Sequence, residues 1–330
     1  MKPAWGLTIP QVGVALPDHA ELTRSLPGWG YTDVWTSEVA GTDGFTPLAL
    51  AAAWEPSLQL GTAIVGTFTR GPALIAQSAA TLAAAAPGRF TLGLGAGSPA
   101  IVEGWNGLAF DQPYRHTRDV LRFVRAALAG ERVAGAFDTF AVDGFRLDAP
   151  PEQPVPILLA ALRPRMLALA GREADGAILN WLAVGDVGRC LAAIDNPTSR
   201  IVARIFLCPT EDAAYARALG RRMIAAYLTV DAYAAFQSWL GRGEDLRPMW
   251  TAWAAGDRRA ATAAIADHVV DALVLHGSAD ACREQVLAYV AAGVQLPVLA
   301  VLPTPEMTDP MALATVLSGL GPVGLQEGRL

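Results

Sequence analysis

Segments with a strand pattern alternate with segments with a helix pattern along almost the whole of this 330-residue chain. Short apolar runs are separated by amphipathic stretches, and glycine or proline marks most of the changes between them. Eight runs are predicted strands: residues 7–16, 32–37 and 58–67, the glycine-rich run within 88–99, and residues 156–162, 176–181, 200–208 and 296–302. Eight strands with helices between them favour an α/β fold of the (β/α)8 TIM-barrel type over a doubly wound sheet.

Two stretches depart from the alternation and are predicted insertions in a single barrel domain of residues 1–330. Asp143-Gly144 lies between two short alternating runs, which predicts a β-hairpin insertion over 132–153. Between 212 and 266 the strand pattern stops, which predicts a mainly helical insertion after strand seven, where barrels place their active sites. The aromatic residues of this insertion could face either the core or a pocket: Tyr215, Tyr227, Tyr233, Phe236 and Trp239.

Composition excludes several classes of protein. Hydrophobic residues make up 52% of the chain and charged residues 17%, which is enough for a large core. The net charge of −6 and the scattered basic residues argue against nucleic acid and anionic lipid as partners. No apolar run reaches membrane-spanning length and no basic-then-apolar leader is present, so we expect a soluble, cytoplasmic protein. The cysteines, Cys190, Cys208 and Cys282, lack ligand spacing, which predicts buried free thiols and no metal site.

The stretch Gly88–Pro99 ends an apolar run with alternating glycines at 93, 95 and 97. Glycines at a strand end leave the backbone bare, so that a flat ring or a phosphate can approach the amide groups. The same glycines could serve only tight packing at the top of a barrel. We favour contact with a cofactor because of their place after the fourth strand.

In a barrel the chemistry is expected at the carboxyl ends of the strands. The sequence places small and apolar residues there, with no carboxylate pair, His-x-His metal pattern or nucleophile elbow. Such a rim suits a planar cofactor that brings its own reactivity. Glu38 follows the second strand at this rim.

Several motifs resemble those of the bacterial luciferase-like superfamily, and in particular its deazaflavin branch, which uses coenzyme F420. The similarity covers roughly residues 7–304. Members of the superfamily are (β/α)8 barrels that hold a flavin or deazaflavin at the carboxyl-terminal rim. The motifs are Leu60–Val65, Phe68–Pro72, Pro87–Phe90 running into Gly93-x-Gly95-x-Gly97, Val155–Ala161 and Ala170–Gly176.

The resemblance implies a set of site residues. Relatives have a non-proline cis peptide behind the ring, which matches Ala63–Ile64 here. A substrate side at Asn180 and Trp181 is also implied. The remaining implied contacts are Gly66 and Thr67 at the ring edge, Ala96, Gly97 and Ser98 at the ribityl chain or pyrimidine edge, and Ala161, Leu162 and Arg163 at the cofactor phosphate.

One departure from the family concerns the end of the second strand. Many relatives carry an acidic residue and a histidine there, whereas this chain has Glu38-Val39. The missing histidine argues against a sugar-phosphate dehydrogenase-type mechanism. Glu38, the acid that is kept, becomes the main acid/base candidate on that strand, because a carboxyl in an apolar pocket is suited to proton transfer near neutral pH. The alternative for Glu38 is a salt bridge to a rim arginine such as Arg70. We expect an oxidoreductase that uses coenzyme F420 for hydride transfer with a small organic substrate. The alternatives are an FMN-dependent two-component monooxygenase and a non-catalytic flavin-binding barrel, and a homodimer is an open possibility.

Overall fold

The computed structural model describes residues 4–325, so both ends of the predicted 1–330 domain lie outside the described residues. The strands within that range are β1 (Gly6–Thr8), β2 (Asp33–Thr36), β3 (Gln59–Thr62), β4 (Val65–Gly66), β5 (Phe90–Gly95), β6 (Val133–Ala136), β7 (Ala141–Phe145), β8 (Ile157–Ala160), β9 (Gly176–Asn180), β10 (Arg200–Cys208), β11 (Val274–His276) and β12 (Leu296–Val301).

The helices surround these strands and build the region between β10 and β11. None of the helices among residues 4–325 is long and apolar enough to cross a membrane. They are α1 (His19–Ser25), α2 (Thr46–Trp54), α3 (Pro72–Ala85), α4 (Pro113–Leu128), α5 (Pro164–Glu173), α6 (Val187–Ile194), α7 (Ala213–Tyr227), α8 (Asp231–Trp239), α9 (Gly243–Ala254), α10 (Arg258–Ala263), α11 (Asp267–Leu273), α12 (Ala279–Ala291) and α13 (Pro310–Leu320).

Eight parallel strands close into a barrel in the order β1-β2-β3-β5-β8-β9-β10-β12. Closure is shown by β12, which pairs with both β10 and β1. The predicted (β/α)8 barrel is therefore confirmed. The first predicted strand, 7–16, is too long: β1 ends at Thr8 shortly before Pro10, which has no N–H to donate to a ladder.

Four further strands lie outside the barrel ring. After the break at Ala63–Ile64, β4 pairs with β5. An antiparallel hairpin, β6–β7, follows α4. The three-residue strand β11 pairs with the outer end of β10 and was not predicted, because so short a run shows no alternation. Between β10 and β11 the chain forms the five helices α7 to α11.

Two apolar cores form on opposite faces of the barrel wall. Helix α4 shows how the outer core forms: it begins at Pro113, where a missing N–H costs nothing, and buries Val120, Leu121 and Val124 against the barrel. The barrel interior holds a smaller cluster in which Trp35 fills the space above Gly61. The other members of that interior cluster are Leu158, Ile178, Val202, Leu296 and Val298.

The three cysteines are buried and free, as predicted. Burial raises the pKa of the Cys190 and Cys282 thiols to about 12 and that of Cys208 to about 11. These thiols are therefore held in their neutral form, in which they pack as small apolar side chains.

Candidate functional site

The carboxyl ends of the barrel strands form a mouth whose lining differs from one side to the other. Side chains alternate across a strand, so residues two positions beyond the interior cluster face this mouth. Gly61 and Gly93 also face the interior, because a Cβ atom there would meet Trp35 or Ile178 of that cluster, and the same rule then applies two positions beyond them. We call one side the small-residue half, formed by Ala63, Gly95 and Ala160 at the ends of β3, β5 and β8. We call the opposite side the polar half, formed by Asn180 and Arg204 of β9 and β10.

The turn after β3 borders the small-residue half. Ala63 and Ile64 are joined by a cis peptide bond, as the resemblance implied. The N–H of Ala63 donates to the carbonyl oxygen of Thr36 at 2.6 Å, and the N–H of Glu38 donates to that of Ile64 at 3.3 Å. A Cβ atom at Gly95 would lie 2.8 Å from Cγ1 of Ile64, so this side chain packs directly on the bare backbone of β5.

Gly93 has a packing role, in contrast to the cofactor contact that we favoured for it. Its N–H donates to Oγ1 of Thr62 at 2.8 Å, and that hydroxyl donates to the Gly93 carbonyl oxygen at 3.0 Å. A Cβ atom at Gly93 would collide with the carbonyl oxygen of Thr62. Ala96, Gly97 and Ser98 follow β5 at the rim, where they are half-buried or exposed and can reach a ligand in the mouth.

Glu38 lies beside the turn after β3 and forms an ion pair with Arg70. Nη2 of Arg70 lies 2.6 Å from Oε1 of Glu38, and Nε lies 3.1 Å from both carboxylate oxygens. The N–H of Gly44 donates to Oε1 at 3.0 Å. The apolar surroundings expected for Glu38 are therefore wrong, and the alternative salt bridge is present. Among residues 4–325, Arg70 is the only donor to Oε2, so this oxygen keeps room for a further partner.

Thr67 does not line the mouth, contrary to expectation. The residue is 1% exposed, and its hydroxyl oxygen lies 3.3 Å from that of Thr117 in α4. Its carbonyl oxygen lies 3.1 Å from Nε2 of His116, whose ring packs on Phe68. The contacts of Thr67 with His116 and Thr117 therefore attach the segment after β4 to α4, on the side away from the mouth. Gly66 is buried next to Thr67.

The connection from β8 to α5 holds the residues predicted to meet a cofactor phosphate. The N–H of Ala161 donates to the carbonyl oxygen of Ile178 at 3.1 Å. This amide is therefore not free to donate to a cofactor phosphate, contrary to the prediction for Ala161. Arg163 is exposed and precedes α5, whose first residue, Pro164, has no N–H. Leu162 and Arg163 are thus the two predicted residues that remain able to contact a phosphate.

Asn180 and Trp181 lie together at the end of β9, in the polar half. Trp181 is 1% exposed and stacks on Phe206 with ring centroids 4.2 Å apart, while Tyr227 lies 5.3 Å from it on another side. Nδ2 of Asn180 donates to the hydroxyl oxygen of Tyr233 at 3.4 Å. Burial raises the pKa of Tyr233, so its hydroxyl keeps its proton. We call the rings of Trp181, Phe206, Tyr227 and Tyr233 the aromatic wall. Trp181 supports this wall, and Asn180 and Tyr233 supply the polar atoms beside it.

The helical region after β10 contributes two of its five predicted aromatic residues to this wall. These are Tyr227 of α7 and Tyr233 of α8, whose rings lie 6.1 Å apart. Phe236 is instead fully buried in the main core, with Trp239 stacked beside it. The hydroxyl of Tyr215 donates to the carbonyl oxygen of Pro303 at 3.2 Å, outside the aromatic wall.

Arg204 is the mouth residue that the sequence analysis missed. It lies between Val202 of the interior cluster and Phe206 of the aromatic wall on the inward face of β10. Its guanidinium carbon lies 4.8 Å from the centroid of the Phe206 ring. The inward direction of Arg204 could have been predicted from the strand pattern of residues 200–208, because a residue midway between two inward apolar residues must also face inward.

Comparison with known proteins places this barrel in a family. A sequence model of the luciferase-like monooxygenase family matches residues 5–296. A protein of Mycobacterium tuberculosis, named provisionally as a coenzyme F420-dependent oxidoreductase, is 28% identical over 343 residues, covering 94% of this chain and 96% of that protein. An F420-dependent glucose-6-phosphate dehydrogenase of Kineococcus radiotolerans is 35% identical over 162 residues, covering 45% of this chain and 48% of its own length.

A solved structure has the same fold. The structure of a coenzyme F420-dependent tetrahydromethanopterin reductase from Methanopyrus kandleri superposes with a TM-score of 0.78 at 20% identity, covering 98% of this chain and 99% of that one. The resemblance predicted from the motifs is confirmed, and oxidoreductases named as F420-dependent are among the relatives, as expected for that branch. The chain belongs to the luciferase-like monooxygenase family.

Proposed function

We propose that this protein is an oxidoreductase that uses coenzyme F420 for hydride transfer with a small organic substrate. The observation that carries the proposal is the small-residue half of the mouth. Ala63 and Ala160 carry only methyl groups and are half-buried, and Gly95 lets the Ile64 side chain pack closely on β5, so we infer that a flat ring has room against these strand ends. The names of two sequence relatives support F420 as the cofactor.

The residues present fit such a group. A deazaflavin supplies a carbon that gives or takes a hydride, so the protein needs to orient the ring and exclude water. The segment Ala96–Ser98 borders the space for the ring, and the exposed Arg163, with Leu162 beside it, suits a phosphate at the start of α5. Asn180 and Tyr233 face this space from the polar half and can donate hydrogen bonds to a substrate oxygen.

Glu38 is our proposal for the acid/base group. Its backbone N–H is bonded to Ile64, which places the side chain next to the small-residue half. Arg70 and Gly44 hold Oε1, whereas Oε2 has room to accept a proton from a substrate hydroxyl. Arg70 would then act as a positioning residue that fixes this carboxylate.

Titration of the purified protein with F420 and with FMN, followed by absorbance, tests the cofactor. We expect F420 to bind at least about tenfold more tightly than FMN, a difference of about 1.4 kcal/mol. Tight binding of FMN without binding of F420 rejects the proposal and favours the two-component monooxygenase, which oxygen consumption with reduced FMN then checks. Binding of F420 without oxidation of its reduced form by any carbonyl or alkene compound favours the non-catalytic barrel.

A further inference from the structure

Arg204 is a charged side chain at the mouth without a charged partner. Its Nε atom is buried and has no hydrogen-bond partner among residues 4–325. None of the ion pairs formed within the described part of the chain includes it. A buried guanidinium N–H without an acceptor costs free energy, and the cost is recovered when an anion binds.

A second arginine on the same strand does have partners, so the lack of a partner is specific to the arginine at the mouth. Arg200 lies four residues earlier on the same face of β10, at the opposite end of the barrel. It lies 3.5 Å from Oδ1 of Asp33 and donates to Oγ1 of Thr91 at 3.3 Å. At the amino-terminal end of the barrel strands, Arg200 therefore has partners within the protein. Arg204, at the carboxyl-terminal end, is left to bind a partner from outside.

The strand order places Arg204 away from the proposed position of the cofactor ring. In the closed ring of eight strands, β3 is the third and β10 the seventh, so the two lie on opposite sides of the mouth. Arg204 is the register partner of Asn180 on β9 and of Val298 on β12. It therefore faces the small-residue half across the space that a substrate would occupy.

The surroundings of Arg204 combine hydrogen-bond donors with flat apolar surface. Asn180 and Tyr233 lie on one side of it. Phe206 lies beneath the guanidinium and is backed by Trp181. A planar guanidinium fixed on an aromatic ring is preorganised to bind a carboxylate through two parallel hydrogen bonds.

We propose that Arg204 binds the carboxylate of the substrate, which is therefore an organic acid with a flat apolar body. This inference rests on the proposed function, because it takes the mouth to be the redox site. The half-buried rings of Tyr227 and Tyr233 would cover the body of the acid, and Arg204 would fix its charged end. The reacting carbon would then be turned toward the small-residue half.

Benzoate and benzamide are matched probes for this site, since they differ in charge and hardly in shape. Calorimetric titration of the wild-type protein without cofactor is expected to show benzoate binding at least about tenfold more tightly than benzamide. Equal affinities, or no binding of benzoate, overturn the proposal. This comparison needs no variant, so it does not depend on the folding of one.

Variants then assign the preference to Arg204. Arg204→Gln is expected to abolish the preference for benzoate, and Arg204→Lys to retain part of it, because an ammonium keeps the charge without the planar fork. Arg122→Gln is the control: its side chain is 51% exposed and pairs with Glu173 on the surface, so the preference should persist. A preference that survives in folded Arg204→Gln overturns the proposal.

Titration of Arg204→Gln with F420 separates this inference from the proposed function. We expect F420 affinity within about threefold of wild type, since the ring lies against the other half. A loss of tenfold or more assigns Arg204 to the cofactor and overturns the inference, while F420 use stands. Failure of wild type to bind F420, with the benzoate preference intact, overturns the proposed function and leaves an organic-acid site.

Discussion

The two halves of the barrel mouth are built by opposite means. In the small-residue half the surface is mainly backbone and Cβ atoms, because Ala63 follows β3 directly and because β5 and β8 end in Gly95 and Ala160. In the polar half the surface is side chains, and one of them, Tyr233, comes from a helix inserted after β10. The first half depends on the barrel strands alone, whereas the second also depends on the packing of α7 and α8.

This difference indicates how each half can change. A surface made of bare backbone is fixed by the ladder of the barrel and tolerates few substitutions, because added atoms occupy the ligand space. A surface made of side chains on an inserted helix can be altered without disturbing the barrel. On the proposed function, the cofactor would lie against the surface that tolerates few substitutions and the substrate against the surface that can be altered, as in barrels whose loops vary over one scaffold.

The largest expected effect on cofactor binding comes from filling the small-residue half. Ala160→Phe would place a ring in the space proposed for the cofactor, and we expect F420 affinity to fall about a hundredfold or more, about 2.7 kcal/mol, by absorbance titration. Ala263→Phe, at an exposed position on α10, is the matched control and should bind F420 normally. Unchanged F420 affinity in folded Ala160→Phe would show that the cofactor does not lie in this half.

A change one layer deeper should damage the fold. In Gly93→Ala the new methyl group meets the carbonyl oxygen of Thr62, and β3 and β5 must separate. We expect a loss of about 3 kcal/mol in the free energy of unfolding, measured with urea. Gly188→Ala in α6 is the control, because a Cβ there meets no atom within 4 Å and alanine favours a helix. Equal stability of the two variants would refute the packing role of Gly93.

The comparison also shows what the sequence could and could not predict. All eight barrel strands follow from their alternation with helices, since each must bury one face against helices and the other inside the barrel. The role of a glycine does not follow, because the sequence is the same whether a missing side chain avoids the backbone of the neighbouring strand, as at Gly93, or makes room for a neighbouring side chain, as Gly95 does for Ile64. Only the neighbouring strand distinguishes the two.

The polar half illustrates a second limit. The inward direction of Arg204 follows from strand period alone, and it was available from residues 200–208. The contact of Asn180 with Tyr233 could not be predicted, because 53 residues separate them and the path of the insertion decides which aromatic residues reach the mouth. Long-range pairing of this kind depends on tertiary packing rather than on local pattern.

The ion pair at the border of the small-residue half should give a smaller effect. A double-mutant cycle with Glu38→Gln and Arg70→Gln is expected to show a coupling energy of about 1 kcal/mol in urea unfolding, because both side chains are largely buried, at 18% and 19% exposure. The exposed pair Arg122–Glu173 serves as the reference and should couple more weakly. With reduced F420 and a true substrate, Glu38→Gln should lower kcat, and unchanged turnover would remove Glu38 from the proposed chemistry.

The smallest effect concerns pH and the polar half. Burial raises the pKa of Tyr233 above its unfolded value of about 10. Its contribution to stability is therefore fully present below about pH 10 and is lost as the pH rises toward the folded pKa, because the unfolded state releases the proton first. We expect Tm to fall between about pH 9 and pH 11, and Tyr233→Phe to show a smaller fall in Tm over the same range.

Tyr31 is the control for a loss of stability at alkaline pH that has no connection with the mouth. Burial also raises its pKa, and its hydroxyl donates to the carbonyl oxygen of Leu317 at 2.9 Å, away from the mouth. Tyr31→Phe should therefore reduce the alkaline fall in Tm as well, while leaving the preference for benzoate unchanged. Tyr233→Phe should weaken benzoate binding, since the lost hydroxyl faces Asn180 beside Arg204. If the two variants change benzoate affinity equally, Tyr233 has no place in the polar half and the two-sided mouth is refuted.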